Sequence, residues 1–161
     1  MTKKKVSAKD SVVDQRSLFA KNMKNIEEYC KEHSLKLTPV RRKVFELLLE
    51  EKRGLGAYRI LDLLREAGFK SQPPVAYRAL EFLVENGFAH KIGSQNSFVA
   101  CTMPGEHHAP VFMICKKCDS VSEAPSSPSV SDLSHSLMEV GFEVEQTSIE
   151  AEGICSSCAD R

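Results

Sequence analysis

Apolar residues recur at helical spacing in the first part of the chain, and the first periodic segment begins near Ser17 and stops around His33. Thr38-Pro39 then has the form of an N-cap followed by proline at the first helical position, so it predicts the start of a second helix. The positions expected to be buried are Leu18, Met23, Ile26 and Tyr29 in the first helix, and Val40, Val44, Leu47 and Leu48 in the second.

Two further helices are bounded by glycine and proline. Gly54 and Gly56 interrupt the chain, and the helix after them is expected to end at Gly68, which suits the residue that follows a helix C-terminus. Pro73-Pro74 opens the fourth helix, and Asn86-Gly87 ends it. Apolar spacing of i, i+3, i+4 and i+7 predicts the inner faces, which are Ala57, Ile60, Leu61 and Leu64 in the third helix and Ala76, Leu80, Leu83 and Val84 in the fourth.

Two short β-rich runs follow the helices, over residues 88–92 and 97–101, with a turn-forming segment over 93–96 between them. Compact helices followed by a hairpin are typical of a winged helix-turn-helix, an architecture common among DNA-binding regulators. The pattern therefore predicts a winged-helix domain over residues 14–101, preceded by a disordered Lys-rich arm over residues 1–13.

The rest of the chain has a different pattern. Residues 102–110 are rich in turn formers and predict a hinge, after which the apolar run 111–114 suits a buried strand and 120–124 its returning partner. A helix containing Val130, Leu133, Leu137 and Val140 is expected to close at Gly141, and residues 142–152 are expected to form a long strand. The fold class is therefore α+β: an N-terminal winged helix-turn-helix domain plus a C-terminal α/β domain over 111–161. A unit of about 50 residues is near the lower limit for an independent core, so a metal staple and self-association are both expected.

Charge separates the same two halves. Residues 1–94 hold 19 Lys and Arg against 12 Asp and Glu, a surplus of +7, whereas residues 95–161 hold 3 against 10, a deficit of −7. A basic half suits contact with a polyanion, and an acidic half suits cations or self-association. The chain lacks an apolar run long enough to span a membrane and begins without a secretory signal, which predicts a cytoplasmic protein.

Four cysteines form two Cys-x-x-Cys pairs, Cys115/Cys118 and Cys155/Cys158, separated by 36 residues. Two thiolates at this spacing reach one metal ion from a turn, and two such pairs complete a tetrahedral shell, so we predict a structural zinc site. Two redox dithiols and ordinary packing of small residues are the alternatives. A thiol oxidoreductase would place its dithiol at the start of a helix, whereas Cys118 precedes a Ser/Pro-rich stretch.

The fourth helix is the candidate DNA-reading element. Arg78 suits bidentate contact with guanine or phosphate, and Tyr77 suits a phosphate hydrogen bond or packing on a thymine methyl. Arg41 and Arg42, at the start of the second helix, are candidate contacts to backbone phosphates. The residues of the fourth helix expected to face outward are Gln72, Val75, Tyr77, Arg78 and Glu81.

Several motifs taken together resemble the ferric uptake regulator superfamily, and most closely its zinc uptake branch. They are Leu37-Thr-Pro-Val-Arg-Arg, Pro74-Val-Ala-Tyr-Arg-Ala-Leu, Asn86-Gly-Phe-Ala-His and the two Cys-x-x-Cys pairs, in consistent order over about residues 20–158. The resemblance implies a homodimeric winged-helix repressor in which the C-terminal α/β domain, residues 111–161, is the dimerisation domain. One departure is Val75-Ala76 where the family usually has Thr-Val, which removes a hydroxyl from the start of the reading helix and leaves the operator sequence open.

The resemblance also implies a second, regulatory zinc site, and hence two zinc ions per chain. Its implied ligands are His90, Cys101, His108 and Glu123, with His107 as the alternative to His108. A thiolate at Cys101 favours zinc over harder ions.

The expected function is a zinc-responsive repressor whose zinc-loaded homodimer binds palindromic operator DNA and represses zinc-uptake genes. The alternatives are a sensor of another metal or of peroxide (iron, manganese), the thiol oxidoreductase, and a zinc scaffold for protein partners that leaves the basic half unexplained. No nucleophile and base occur at a recognisable catalytic spacing, so neither an enzyme nor a small-molecule substrate is expected.

Overall fold

The structure, a computed structural model, describes residues 8–104, 108–124 and 128–159 of the chain. Across these ranges, no helix combines the length and apolar character that a bilayer crossing requires. The first half contains α1 (Ala8–Glu32), α2 (Pro39–Glu50), α3 (Ala57–Glu66), α4 (Pro73–Glu85), β1 (Ala89–Ile92) and β2 (Ser97–Ala100). The second half contains β3 (Val111–Cys115), β4 (Val121–Ala124), α5 (Pro128–Glu139), β5 (Ile149–Gly153) and α6 (Ser156–Ala159).

The winged-helix half has one core shared by all four helices and the β1–β2 hairpin. Phe45 and Phe88 lie at its centre, fully buried, with their rings edge to face and 5.6 Å between centroids. The predicted signals at the helix ends are confirmed, because the Thr38 hydroxyl accepts a hydrogen bond from the Arg41 backbone N–H at 3.3 Å and Gly68 adopts φ +85°. The predicted inner face of α3 is fully confirmed: Ala57, Ile60, Leu61 and Leu64 are buried.

Helix α1 is longer than predicted. It begins at Ala8 instead of near Ser17, so the part of the predicted disordered arm over residues 8–13 is helical, while residues 1–7 lie outside the described residues. The segment before Ser17 contains neither glycine nor proline, so it has no residue that would prevent the helix from extending toward the N-terminus. Leu18, predicted to be buried, is 45% exposed, whereas the next residue, Phe19, packs against the core, so Leu18 lies on the outer side of the helix.

The second half is built on a three-stranded sheet in the order β4-β3-β5, antiparallel between β3 and β4 and parallel between β3 and β5. The predicted long strand over 142–152 is wrong in its first part, since β5 begins at Ile149. Ile149 donates its N–H to the Pro110 carbonyl, and the partner strand β3 starts one residue later. Proline has no N–H with which to extend the ladder, so the described pairing of β5 with β3 begins at this point.

The hairpin of the first half rests directly on this sheet. Ile92 is fully buried in a small cluster with Phe112 and Ile114 of β3, and Val99 and Val121 pack at its edge. The cluster therefore spans the predicted hinge and joins the two halves through apolar contacts. A backbone hydrogen bond of 2.9 Å from the Val121 N–H to the Lys52 carbonyl adds a second contact between them.

Candidate metal centres and DNA-facing surface

The structure brings together the four residues that the family resemblance implied as a regulatory site. His90 lies on β1, Cys101 directly follows β2, His108 lies in the connection to the second half, and Glu123 lies on β4. Their potential ligand atoms all lie within 4.8 Å of one another, and we call this group the mixed cluster. The predicted alternative ligand, His107, lies outside the described residues.

Glu123 is the centre of the mixed cluster. Its Oε1 lies 2.6 Å from His108 Nε2 and 3.5 Å from His90 Nε2, and Cys101 Sγ lies 3.7 Å from His108 Nε2. The cluster is shielded from solvent, since Cys101 is fully buried and the side chains of His90, His108 and Glu123 are 11%, 8% and 2% exposed. A tetrahedral zinc shell separates its donors by roughly 3.3–3.8 Å. The 3.5 Å and 3.7 Å separations lie in that range, and the 2.6 Å separation between Glu123 and His108 is shorter.

One buried atom of this cluster tests whether a metal ion would fit. His90 Nε2 is buried, and although it lies 3.5 Å from Glu123 Oε1 it makes no hydrogen bond of acceptable geometry with any described residue. A buried polar group left unsatisfied costs about 1–3 kcal/mol, so native proteins rarely keep one without a reason. An imidazole nitrogen that coordinates a metal is satisfied, and one sulfur, two imidazoles and a carboxylate form a donor set that zinc accepts. The residues present therefore fit a zinc ion.

The Glu123 carboxylate is oriented by the chain immediately after Cys101. Both the backbone N–H and the hydroxyl of Thr102 donate to Glu123 Oε2 at 2.8 Å, which leaves Oε1 facing the imidazoles. Burial opposes ionisation of this carboxyl group, but the neighbouring His90 imidazole, the two Thr102 donors and His108 outweigh it and lower the pKa of Glu123 to about 2. Glu123 is thus an anion whose Oε1, beside the two imidazoles, is placed to serve as a ligand.

The four predicted structural ligands form a second cluster, which lies entirely within the second half. Cys115 ends β3 and Cys118 lies in the turn to β4, while Cys155 and Cys158 lie at the start of α6 and within it. Their sulfur atoms all lie within 4.8 Å of one another, with 3.8 Å between Cys118 Sγ and Cys155 Sγ. We call this group the Cys₄ cluster. None of the six cysteines, all of which lie in described ranges, forms a disulfide.

Backbone amides favour the thiolate form of one ligand in the Cys₄ cluster. The Cys155 N–H donates to Cys115 Sγ at 3.3 Å and, together with the N–H groups of Lys117 and Cys118, lowers the pKa of Cys115 to about 6. On the other side, the neighbouring sulfurs of Cys155 and Cys118 raise the pKa of Cys158 to about 12. Since the thiolate is the form that binds metal, one ligand is charged at neutral pH while another must give up its proton on binding.

The exposed face of α4 carries the residues predicted to read DNA. Val75 and Tyr77 are 36% and 42% exposed, and Arg78 is exposed beside them. Ala76, Ala79 and Leu80 are buried, so the helix presents this edge because its other faces are fixed in the core.

Arg41 and Arg42 are engaged inside the winged-helix half. The Arg41 guanidinium lies over the ring of Phe82, 3.8 Å from its centroid, and donates to the Lys36 carbonyl. Arg42 forms ion pairs with Glu27 and Glu46. The contact of these two arginines with phosphate stays a prediction, and forming it requires them to exchange these partners.

Sequence reasoning missed two residues that act on the site. Thr102 holds Glu123, and Glu150 of β5 accepts hydrogen bonds from the turn between β1 and β2. In both cases a backbone N–H is one of the donors, and residue type alone does not reveal such a contact.

A winged helix-turn-helix joined to a small α/β domain, with two clusters of metal-type ligands, defines a two-domain protein of the metalloregulator class. Residues 32–152 match the profile of the Ferric uptake regulator family, and the chain belongs to that family. The predicted resemblance and fold class are therefore confirmed.

Within the family, the chain is similar to zinc uptake regulators. It is 39% identical over 136 residues to the Zinc uptake regulation protein of Escherichia coli K12, covering 83% of this chain and 79% of that protein. It superimposes with a TM-score of 0.83 on a zinc uptake regulator complexed with zinc and DNA, at 36% identity, covering 88% of this chain and 95% of that one.

A third relative, XcZur, is known in two forms. The crystal structure of holo XcZur gives a TM-score of 0.79 at 38% identity, covering 86% of this chain and 97% of that one. Apo XcZur gives only 0.52 at 36% identity, covering 89% of this chain and 99% of that one. The overall structure of this chain is thus more similar to holo XcZur than to apo XcZur.

Proposed function

We propose that the protein is a zinc-responsive transcriptional repressor whose zinc-loaded homodimer binds palindromic operator DNA and represses zinc-uptake genes. One observation carries this proposal: the mixed cluster takes its donors from the wing hairpin, the hinge and the second domain. The domains assigned are a winged-helix domain that begins with α1 and ends at residue 101, a hinge over 102–110 and a dimerisation domain over 111–161.

We assign two zinc ions to each chain, held in different ways. The Cys₄ cluster (Cys115, Cys118, Cys155 and Cys158) ties the end of the second domain to its central strand and holds structural zinc. The mixed cluster (His90, Cys101, His108 and Glu123) holds regulatory zinc. Zinc bound there would be coordinated by residues of both domains and would therefore cross-link them.

The residues of the mixed cluster fix how the domains sit relative to each other. In a homodimer, that arrangement also sets the distance between the two α4 helices, which has to match successive major grooves about 34–36 Å apart, or a multiple of it. A coupling free energy of about 1–3 kcal/mol between the metal site and the DNA site is typical of allostery. The greater structural similarity of this chain to holo XcZur than to apo XcZur supports this coupling.

Exposed apolar residues of the second domain support the homodimer. Exposed large apolar side chains in a small domain are often covered by association, and a two-fold dimer is the commonest symmetric assembly. A second copy of the chain is therefore the partner we assign to this surface. The large apolar side chains concerned are Met113, Leu133, Met138, Val140, Phe142 and Ile154, which are 45–79% exposed.

The α4 face supports operator binding. Arg78 is placed to contact a base edge or phosphate, with Tyr77 and Val75 beside it, and Arg41 and Arg42 are the candidate contacts to the flanking backbone. A DNA-binding regulator of this kind acts in the cytoplasm and needs neither a substrate nor a catalytic group.

The second candidate is a sensor of another metal or of peroxide, such as iron or manganese. The Cys101 sulfur favours zinc over both of these harder ions. Metal content after anaerobic purification, followed by competition between zinc and iron, separates the two candidates.

The decisive experiment is DNA footprinting titrated with buffered free zinc, with metal stoichiometry measured on the same sample. We expect protection of a palindromic site only when the second zinc equivalent per chain is bound. Equal protection at one and at two equivalents, or protection that requires iron, contradicts the proposal.

A further inference from the structure

The turn at the tip of the wing is held by a carboxylate of the second domain. Glu150 of β5 accepts a hydrogen bond from the Gly93 N–H at Oε1, 2.6 Å away, and one from the Ser94 N–H at Oε2, 3.1 Å away. Two successive backbone N–H groups that converge on one anion form a small anion-binding nest. Hydrogen bonds to an ionised acceptor are stronger than neutral ones.

The local sequence is suited to this contact. A side chain at position 93 would place its Cβ 3.3 Å from Glu150 Oε1, so glycine lets the carboxylate approach closely. Hydrogen bonds from the Ser94 side chain and from the two backbone N–H groups lower the pKa of Glu150, although slight burial opposes them. The contact therefore involves the charged form of Glu150.

The sheet register relates this contact to the mixed cluster. Phe112 of β3 pairs with Glu123 on one side and with Glu150 on the other. Paired residues project from the same face of a sheet, so the two carboxylates flank Phe112 on the face that the wing covers. Glu123 meets His90 of β1, and Glu150 meets the turn that follows β1, so the hairpin is held at two points along one row.

We infer that Glu150 is a second, metal-independent latch of the wing, and that it sets how much zinc the regulator needs. The inference rests on the proposed function. The Glu150 contact and the metal-loaded mixed cluster favour the same domain arrangement, and only the mixed cluster acts through a metal ion. Because apparent affinity falls with the population of the binding-competent state, loss of the latch weakens the response to zinc without removing a zinc ligand.

The test uses the full-length dimer with its Cys₄ zinc in place. Glu150→Gln removes the charge, and Glu150→Asp keeps the charge but shortens the reach. Glu152→Gln is the matched control, since Glu152 lies in the same strand and pairs only with exposed Lys116, at 3.2 Å, in the described contacts. Hydrogen exchange at the Gly93 and Ser94 amides is measured without and with regulatory zinc, together with the free-zinc midpoint of operator binding.

We expect both Glu150 variants to speed exchange at the two amides in either metal state. We also expect them to raise the zinc midpoint about three- to ten-fold, as loss of partly exposed charged hydrogen bonds implies. Two zinc ions per chain remain bound at saturation, and Glu152→Gln changes nothing.

Two results overturn the inference: unchanged amide exchange in both variants, or faster exchange with an unchanged zinc midpoint. Failure of the proposed function gives a different result. In that case the wild-type protein shows no zinc-dependent operator binding, while the exchange data still report whether Glu150 holds the turn.

Discussion

The two clusters contain four donors each, yet they occupy different kinds of place in the molecule. The Cys₄ cluster draws its ligands from one domain, where Cys115 and Cys118 flank a tight turn and the other pair follows β5. The mixed cluster draws them from the wing, the hinge and β4. A metal bound inside one domain stabilises that domain, whereas a metal bound between domains stabilises one arrangement of them. The origin of the ligands, more than their number, separates a structural site from a sensing site.

The surroundings of the clusters reinforce this contrast. Around the Cys₄ cluster, backbone N–H groups lower the pKa of Cys115 to about 6. In the mixed cluster, Thr102 of the hinge orients the Glu123 carboxylate of the second domain. His90 Nε2 of the wing makes no hydrogen bond with the described residues. The unsatisfied His90 nitrogen therefore lies at the junction between the domains, where a bound ion has the most effect on how the two domains are arranged.

Cys115→Ser should have the largest effect. Structural zinc in small domains contributes about 10–16 kcal/mol, more than the total stability of most domains, so the second domain should lose its fold and the dimer should dissociate. Circular dichroism melting, size-exclusion chromatography and zinc stoichiometry measure this. Cys30→Ser, at a buried cysteine outside both clusters, is the matched control and should cost only about 1–3 kcal/mol. A Cys115 variant that melts like wild type and stays dimeric would show that the Cys₄ cluster is not structural.

Cys101→Ser and His90→Ala should abolish zinc-responsive DNA binding and leave a folded dimer that retains the Cys₄ zinc. Loss of a direct ligand should weaken the mixed site by more than the 10–100-fold typical of an outer partner. Operator shifts over a range of buffered zinc, with circular dichroism on the same samples, measure both properties. His135→Ala removes an exposed histidine of α5 and should change neither. If the Cys101 and Cys115 variants behaved alike, the distinction between the clusters would fail.

The two clusters also differ in how far the sequence predicts them. The Cys₄ cluster is recognisable because each of its pairs, Cys115/Cys118 and Cys155/Cys158, lies within one turn. Two thiols at that sequence spacing are necessarily close together in the structure. The mixed cluster has no such local signature, since an isolated His90 or Glu123 is an ordinary surface residue type. It was predicted only through the family resemblance, and the geometry agrees with it.

Contacts that depend on the backbone were beyond sequence reasoning. The four helices and the hairpin followed from apolar periodicity and helix-end signals, which act within a few residues. The start of β5 depends on its pairing with β3 next to Pro110, and the latch at Glu150 depends on two N–H groups 56 and 57 residues earlier. Long-range pairing of this kind is set by the folded arrangement and not by residue type.

Arg78→Ala sharpens the comparison by separating metal occupancy from DNA reading. We expect operator affinity to fall about 5–150-fold, equivalent to about 1–3 kcal/mol for the loss of one arginine contact, with two zinc ions per chain unchanged. Fluorescence anisotropy at saturating zinc measures the affinity. Lys116→Ala removes one positive charge from the second domain and serves as the control. Intact operator binding by the Arg78 variant would refute its role.

Thr102→Val should have the smallest effect, and it tests whether the two clusters are independent. The substitution removes the hydroxyl donor to Glu123 Oε2 and keeps the backbone N–H donor, so the carboxylate is held less firmly. We expect a loss of zinc affinity at the mixed cluster below about ten-fold, the lower end for an outer partner. Competition with a chelator measures it, and Thr102→Ser should restore the wild-type value because it keeps the hydroxyl. An unchanged affinity would show that the hydroxyl does not position Glu123. Weakened zinc binding at the Cys₄ cluster as well would show that the clusters are energetically coupled, and the division between structural and sensing sites would have to be abandoned.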